Sequence, residues 1–175
     1  GWDAFVPFNI TTGDAGSDGR IKWNGTPSET KWIKNKFTVF QNKATTLSPK
    51  NCGKEILLPA KLKQPRKLKK QIEKVLKEDG CYVLFNNRLI VENGKDRREE
   101  KFREAIKLTN EPKYDTFQIL IYDANSIKDW VNEHIGAVVL VQEFNGIQRM
   151  QGFITWNRWE ILSKAKETTF QVDEN

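Results

Sequence analysis

An α/β fold, a mixed sheet flanked by helices, is predicted by three features of this 175-residue sequence. Strand-like apolar runs alternate with amphipathic helical stretches through the second two-thirds of the chain, which implies parallel pairings joined by crossover helices. The polar–apolar alternation Arg20-Ile21-Lys22-Trp23 runs into Asn24-Gly25, a strong hairpin signal, and implies antiparallel strands at one end. Aromatic residues, six of them Trp, make up 11% of the chain, enough to fill one core in one domain over residues 1–175.

In chain order, the start is apolar (Trp2, Phe5, Val6, Phe8) and reads as an extended or edge segment broken by Pro7. Gly13-Asp14-Ala15-Gly16-Ser17-Asp18-Gly19 holds three glycines and two aspartates in seven positions, the composition of a tight loop. Thr30 to Lys36 reads as a returning strand or a connector, and the β-branched and aromatic run Phe37 to Gln41 as a buried strand. Thr45 to Pro59 carries Pro, Asn, Gly and Ser and reads as a loop. Pro65 marks a helix start, with Leu68, Ile72, Val75 and Leu76 on one face and Arg66, Lys67, Lys69, Lys70, Lys74 and Lys77 on the other. That helix should stop at Asp79-Gly80.

Cys81 to Phe85 then reads as a buried strand, and turn signals at Asn86-Asn87 and Asn93-Gly94 bracket the short Leu89-Ile90-Val91. Asp96 to Leu108 forms a second amphipathic helix with Phe102, Ala105 and Ile106 inward. Phe117 to Tyr122 is a third strand. Asp123-Ala124-Asn125-Ser126 caps a third helix whose inner face is Ile127, Trp130 and Val131. Ala137-Val138-Val139-Leu140-Val141 is read as a fourth strand. Trp156 and Trp159, three apart, pack a C-terminal helix on the core, and His134 is a cap or surface residue. No internal repeat is visible.

The charge balance is 29 Lys and Arg against 23 Asp and Glu, a formal +6, which favours polyanionic partners such as nucleic acid or an acidic membrane surface. No apolar run approaches the roughly 20 residues that a membrane span requires, and no signal peptide is visible. The opening Gly1-Trp2-Asp3, without Met, reads as a fragment or a trimmed chain. Cys52 and Cys81 form no CxxC pair, do not suggest zinc, and read as buried thiols of a cytoplasmic protein. The single His134 rules out chemistry that needs two histidines.

Two short stretches carry chemistry. Asp18 lies at a strand start, after a loop with backbone freedom, where a carboxylate can hold a divalent cation. Mg²⁺ takes oxygen ligands and keeps several waters, so one or two carboxylates with backbone carbonyls suffice. Gln41-Asn42-Lys43 ends the next strand. Gln41 and Lys43 point to one side and Asn42 to the other. Gln41 offers a neutral oxygen, and Lys43 can orient an attacking water and offset phosphate charge.

Together, Gly13-Asp14-Ala15-Gly16-Ser17-Asp18-Gly19 and Gln41-Asn42-Lys43 resemble the PD-(D/E)XK nuclease superfamily in its Mrr-like form. There a glycine-rich loop ends in Asp-Gly and a following strand ends in Gln-x-Lys. The stretch Ile119 to Ile127, running on to Asn132, is similar to one in the N-terminal nuclease domains of bacterial antiviral STAND ATPases. The motif covers about 30 residues, with a weaker likeness over roughly 160. Family members commonly carry an acid on a helix ahead of the loop. Here Asp3 is the only acid before the loop, and Asp14 is the nearest extra ligand.

The resemblance implies a restriction-endonuclease-like α/β fold and a metal-dependent DNA endonuclease. Asp18, Gln41 and Lys43 would be catalytic, and Asp18, Gln41 and the Asn42 carbonyl would hold Mg²⁺ or Mn²⁺. Arg20, Arg66, Lys67 and Lys70 would meet double-stranded DNA. It also implies a nuclease-like effector domain within a larger, oligomeric defence or restriction protein. The alternative is a non-catalytic nucleic-acid-binding or oligomerisation domain of the same fold.

Overall fold

The structure, a computed structural model, describes residues 2–5, 17–26, 29–60, 65–91 and 93–146. Five strands form one mixed sheet in sequence order: β1 (Trp2–Phe5), β2 (Gly19–Trp23), β3 (Phe37–Lys43), β4 (Cys81–Asn86) and β5 (Gln118–Tyr122). β1, β2 and β3 run antiparallel; β3, β4 and β5 run parallel. The described residues also form five α-helices: α1 (Cys52–Ile56), α2 (Lys70–Lys77), α3 (Gly94–Lys107), α4 (Ala124–Asn132) and α5 (Ile135–Phe144). The chain divides into two compact units, Gly1–Ile127 and Lys128–Asn175.

Alternation along the strands decides where the core lies. Phe37 and Val39 of β3, Tyr82 and Leu84 of β4, and Ile119 of β5 share one sheet face. They pack with Cys52 and Ile56 of α1, Ile72, Val75 and Leu76 of α2, and Phe102 and Ile106 of α3. The opposite face carries an aromatic ladder. Phe40 stacks on Phe85 at 5.7 Å, Phe85 meets Tyr122 at 5.8 Å, and Trp32 closes edge-on over Tyr122 at 5.5 Å. The Tyr122 hydroxyl donates to the Trp32 carbonyl at 2.6 Å and pins the 29–36 segment there.

That segment is therefore the connector of the two expected options, and the strand returning from β2 is β3. Trp23 N–H donates to the Lys36 carbonyl at 3.0 Å, closing a long connection rather than a two-residue hairpin. Gly25 still turns the chain at a φ of 101°, which glycine allows without steric cost. β1 is an edge strand, as its composition indicates, while Pro7 lies outside the described residues.

Three elements differ from their sequence reading. The stretch taken as a loop over Thr45 to Pro59 holds a 3-10 turn at Pro49–Asn51 and then α1. Five residues cannot sustain an isolated helix, because nucleation carries a weight of about 10⁻³. Burial holds this one: Cys52 and Ile56 are both 0% exposed, and burying the Ile56 side chain contributes about 1.5–3 kcal/mol. The second difference is the start of α2, at Lys70 rather than beside Pro65. Leu57 and Leu68 form an antiparallel bridge, with Leu58 N–H on the Lys67 carbonyl and Lys69 N–H on the Ile56 carbonyl, both at 2.8 Å. That bridge draws the preceding residues into extended backbone. Arg66, Lys67 and Leu68 thus precede the helix, which keeps Ile72, Val75 and Leu76 as its buried face.

The third is the run Ala137 to Val141, which is helical within α5 and not a strand. Five consecutive apolar residues fix no period, so length and flanks decide between the two readings. Here the helix runs to Phe144, and only Val139 on it is buried. His134 stands exposed at its N-cap position. Trp156 and Trp159 lie outside the described residues.

Where α2 stops, two residues make the turn. Asp79 adopts a left-handed φ of 47°, and Gly80 N–H returns to the Val75 carbonyl at 2.8 Å, a Schellman-type closure. A Cβ at Gly80 would fall 2.6 Å from the Phe37 carbonyl oxygen and 2.9 Å from its ring, because β3 passes directly alongside. Gly80→Ala should therefore lower stability by about 1–3 kcal/mol, as overpacking against backbone does. A urea midpoint unchanged from wild type would contradict this contact.

Candidate functional site

β2 and β3 pair with Gly19 opposite Phe40, and Asp18 N–H extends the ladder to the Phe40 carbonyl at 2.7 Å. Asp18 thus faces Gln41 across the two strands, at the spacing where cross-strand side chains meet. Asp18 Oδ2 accepts from Gln41 Nε2 at 2.9 Å and from the backbone N–H of Asn42. Of the sequence-derived grouping, Asp18 is thus brought to the Gln41 amide and to the N–H of Asn42, whereas the expected metal ligand on Asn42 is its carbonyl. Asn42 itself points to the opposite sheet face and is exposed, as alternation requires.

Gln41 is only 4% exposed, and its Oε1 is buried with no hydrogen-bond partner. Leaving such an acceptor bare costs about 1–3 kcal/mol. A half-turn of the amide would exchange Oε1 and Nε2 without changing volume, and would set two oxygens, from Gln41 and Asp18, side by side. A cation between them, or a water donating to both, would make that arrangement favourable. One carboxylate, one neutral amide oxygen and nearby backbone carbonyls suit a hard divalent ion that keeps several waters. Among the described residues, no group of three or more His, Cys, Asp and Glu side chains converges, so nothing here offers a zinc-like cage.

Lys43 shares the face of Gln41, two residues on, but it is engaged elsewhere. Its Nζ lies 2.7 Å from Glu55 Oε2 on α1, and the two side chains are 26% and 16% exposed. Glu55 has no prominence in the sequence; the spacing of Cys52 and Ile56, four apart, is the one sign of a helix that would carry it. Arg20 sits on β2 with its guanidinium 4.8 Å above the Phe5 ring.

Arg66 and Lys67 lie apart from this centre. They line a cleft of about 620 Å³ with Leu76, Lys77, Thr109 and Lys113, between the start of α2 and the turn after α3. Lys70, the first residue of α2, is exposed. Of the cations expected to meet DNA, these three form one group and Arg20 another.

A second polar cluster closes the carboxyl ends of the parallel strands. Asn86, at the end of β4, accepts from Leu47 N–H and donates to the Arg88 carbonyl. Buried Arg98 donates to the carbonyls of Leu47 and Gly94, both at 2.6 Å. Asp123 follows β5 and is 4% exposed. Its Oδ1 accepts from Lys95 Nζ at 2.9 Å, Ser126 Oγ at 2.7 Å and Ser126 N–H at 3.1 Å, and its Oδ2 from Ile90 N–H at 3.3 Å. The cap expected at Asp123 is therefore present. These bonds brace the 44–48 and 87–91 segments against the strand ends.

Both cysteines are buried with free thiols. Burial pushes the Cys81 thiol up to about 12 and the Cys52 thiol up to about 11, the latter despite nearby Arg98. Neither is placed for nucleophilic chemistry. No helix among the described residues is long and apolar enough to cross a membrane. Comparison with family models, with curated proteins and with solved structures returns no match.

Burial alone would raise the Asp123 carboxyl, but Lys95, the Ser126 hydroxyl and two backbone N–H groups outweigh it and hold it well below the usual carboxylate range. A depressed folded value stabilises the protein above the unfolded value of about 3.9 and loses that stabilisation as pH falls below it. Wild type should accordingly lose stability on titration from pH 5 towards pH 2, and Asp123→Asn should show a shallower loss. Parallel denaturation curves for the two proteins across that range would contradict the assignment.

Proposed function

We propose that this chain carries a restriction-endonuclease-like domain that hydrolyses phosphodiester bonds in DNA with Mg²⁺ or Mn²⁺. The observation that carries the reading is the Asp18–Gln41 cross-strand pair, with a buried amide oxygen left bare beside a carboxylate. Supporting it are the antiparallel strands β1, β2 and β3 followed by parallel β4 and β5, and the placement of Lys43 on the same sheet face as Gln41.

Asp18, Gln41 and the Asn42 carbonyl would hold the ion, which when bound offsets charge on the phosphoryl oxygens and lowers the pKa of a water. Lys43 contributes a compact ammonium that orients the attacking water and balances charge on the phosphorus. Arg20 offers a cation on the neighbouring strand. Arg66, Lys67 and Lys70 offer a separate basic surface to the duplex backbone, whose contribution weakens with salt. In this reading the domain is the cytoplasmic effector of a larger, oligomeric defence or restriction protein.

One observation favours a second reading. Asp18 is satisfied by Gln41 and Asn42, and Lys43 by Glu55, so the polar groups are paired within the protein itself. A non-catalytic nucleic-acid-binding or oligomerisation domain of the same fold would look like this.

Plasmid incubation with the purified chain and Mg²⁺ or Mn²⁺ separates the two. The nuclease reading expects nicking or linearisation, lost in Asp18→Ala and reduced about 10²–10³-fold in Lys43→Ala. Cleavage unaffected by both substitutions would discard this site. DNA binding without cleavage by wild type would establish the second reading.

A further inference from the structure

We propose that Glu55 is a positioning residue, which holds the Lys43 ammonium in a fixed place on the sheet face that carries Gln41. The inference rests on the nuclease reading and adds to it a residue that acts through Lys43.

The argument starts from where α1 is held. Cys52 and Ile56 anchor the helix in the core at 0% exposure, one turn apart. Gly53 brings it close to α3, since a Cβ there would lie 3.4 Å from the Ala105 Cβ. A helix fixed at three points has little freedom to rotate, and Glu55 projects from it in one set direction. That direction meets Lys43 at 2.7 Å. Arg98, a cation close to Cys52 of α1, donates instead to the carbonyls of Leu47 and Gly94.

Lys43 is the last residue of β3, and its carbonyl accepts from Asn87 N–H at 3.1 Å, so the backbone beneath the side chain is fixed. What is left to fix is the four-carbon stem, which carries up to about 2 kcal/mol of rotamer entropy. A carboxylate on a rigid helix removes most of that freedom. With the side chain mostly shielded from water, at 26% exposure, the pair is screened less than a surface ion pair would be. Lys43 then stands on the face that carries Gln41 without having to be ordered when substrate arrives, and such preordering raises turnover.

The test is a double-mutant cycle on plasmid cleavage by the full chain, with Glu55→Ala, Lys43→Ala and both together. Glu55→Ala alone should slow turnover by about 10–100-fold with little change in half-saturating DNA. The double substitution should be no slower than Lys43→Ala alone, because Glu55 acts only through Lys43. Glu55→Asp should recover part of the rate. The half-saturating Mg²⁺ concentration should be the same in wild type and Glu55→Gln. Additive losses, or a raised Mg²⁺ requirement in Glu55→Gln, would overturn the positioning role and make Glu55 a structural residue or a cation ligand.

Acylation of lysines by an N-hydroxysuccinimide ester, read by mass spectrometry, gives an arm independent of activity. Lys43 should label several-fold faster in Glu55→Gln than in wild type, while Lys22, paired with Glu78 at 2.5 Å, serves as the unchanged control. Unchanged labelling of Lys43 would overturn the pairing itself. Faster labelling of Lys43 in Glu55→Gln, together with a wild type that never cleaves DNA, would uphold the ion pair while overturning the catalytic role along with the nuclease reading.

Discussion

The two-residue period of β3 is the constraint on which the rest depends. Phe37 and Val39 enter the core on one face, and the same row continues through Gln41 and Lys43. The candidate site is therefore an extension of the hydrophobic core, reached by following one strand until its side chains turn polar. The helices that cover Phe37 and Val39 are the ones placed to reach Gln41 and Lys43. That is why α1, anchored by two fully buried residues, delivers Glu55 to Lys43. Asp18 arrives from the other side, through the antiparallel register of β2.

Polar groups are treated differently at the two ends of this arrangement. At the carboxyl ends of β4 and β5, Asn86, Arg98 and Asp123 are each met by backbone or side-chain partners. Such satisfied networks rigidify, and a shortfall in one is costly. On β3 the Gln41 amide is met at its nitrogen and left bare at its oxygen. Gln41 shares this shortfall with Asn35 Oδ1, Ser48 Oγ and Gln71 Oε1, but of these four it is the one bonded to a carboxylate across the strands.

Much of this was legible in the residues, and the failures have physical causes. β3, β4 and β5 were readable because each is a dense apolar run bounded by turn chemistry. The end of α2 was readable because Asp79 and Gly80 are turn residues with specific backbone roles. Gln41 and Lys43 could be assigned to one face from alternation alone. Three things were not readable. α1 is too short to announce itself by periodicity and exists through burial of Cys52 and Ile56. The start of α2 is displaced by a bridge between Leu57 and Leu68, a tertiary contact with no local signature. The run Ala137 to Val141 offers no polar residue to set its period, so strand and helix look alike. The Lys43–Glu55 pair was hidden for the same reason as α1, since an ion pair cannot be read from a helix that is not recognised.

The Asp18–Gln41 bond also bears on how the sheet finds its register. The β2–β3 connection, from Asn24 to Lys36, is far shorter than the excursion through α1 and α2 that brings β4 alongside β3, and loop-closure entropy favours the shorter closure first. A slip of one residue between β2 and β3 would send Asp18 to the aromatic face and separate it from the Gln41 amide. The Arg20–Val39 and Lys22–Phe37 pairs would part in the same way. The polar pair at the strand ends thus works as a proofreading contact. It rewards only the alignment that also seats Phe37 and Val39 for the helices that follow.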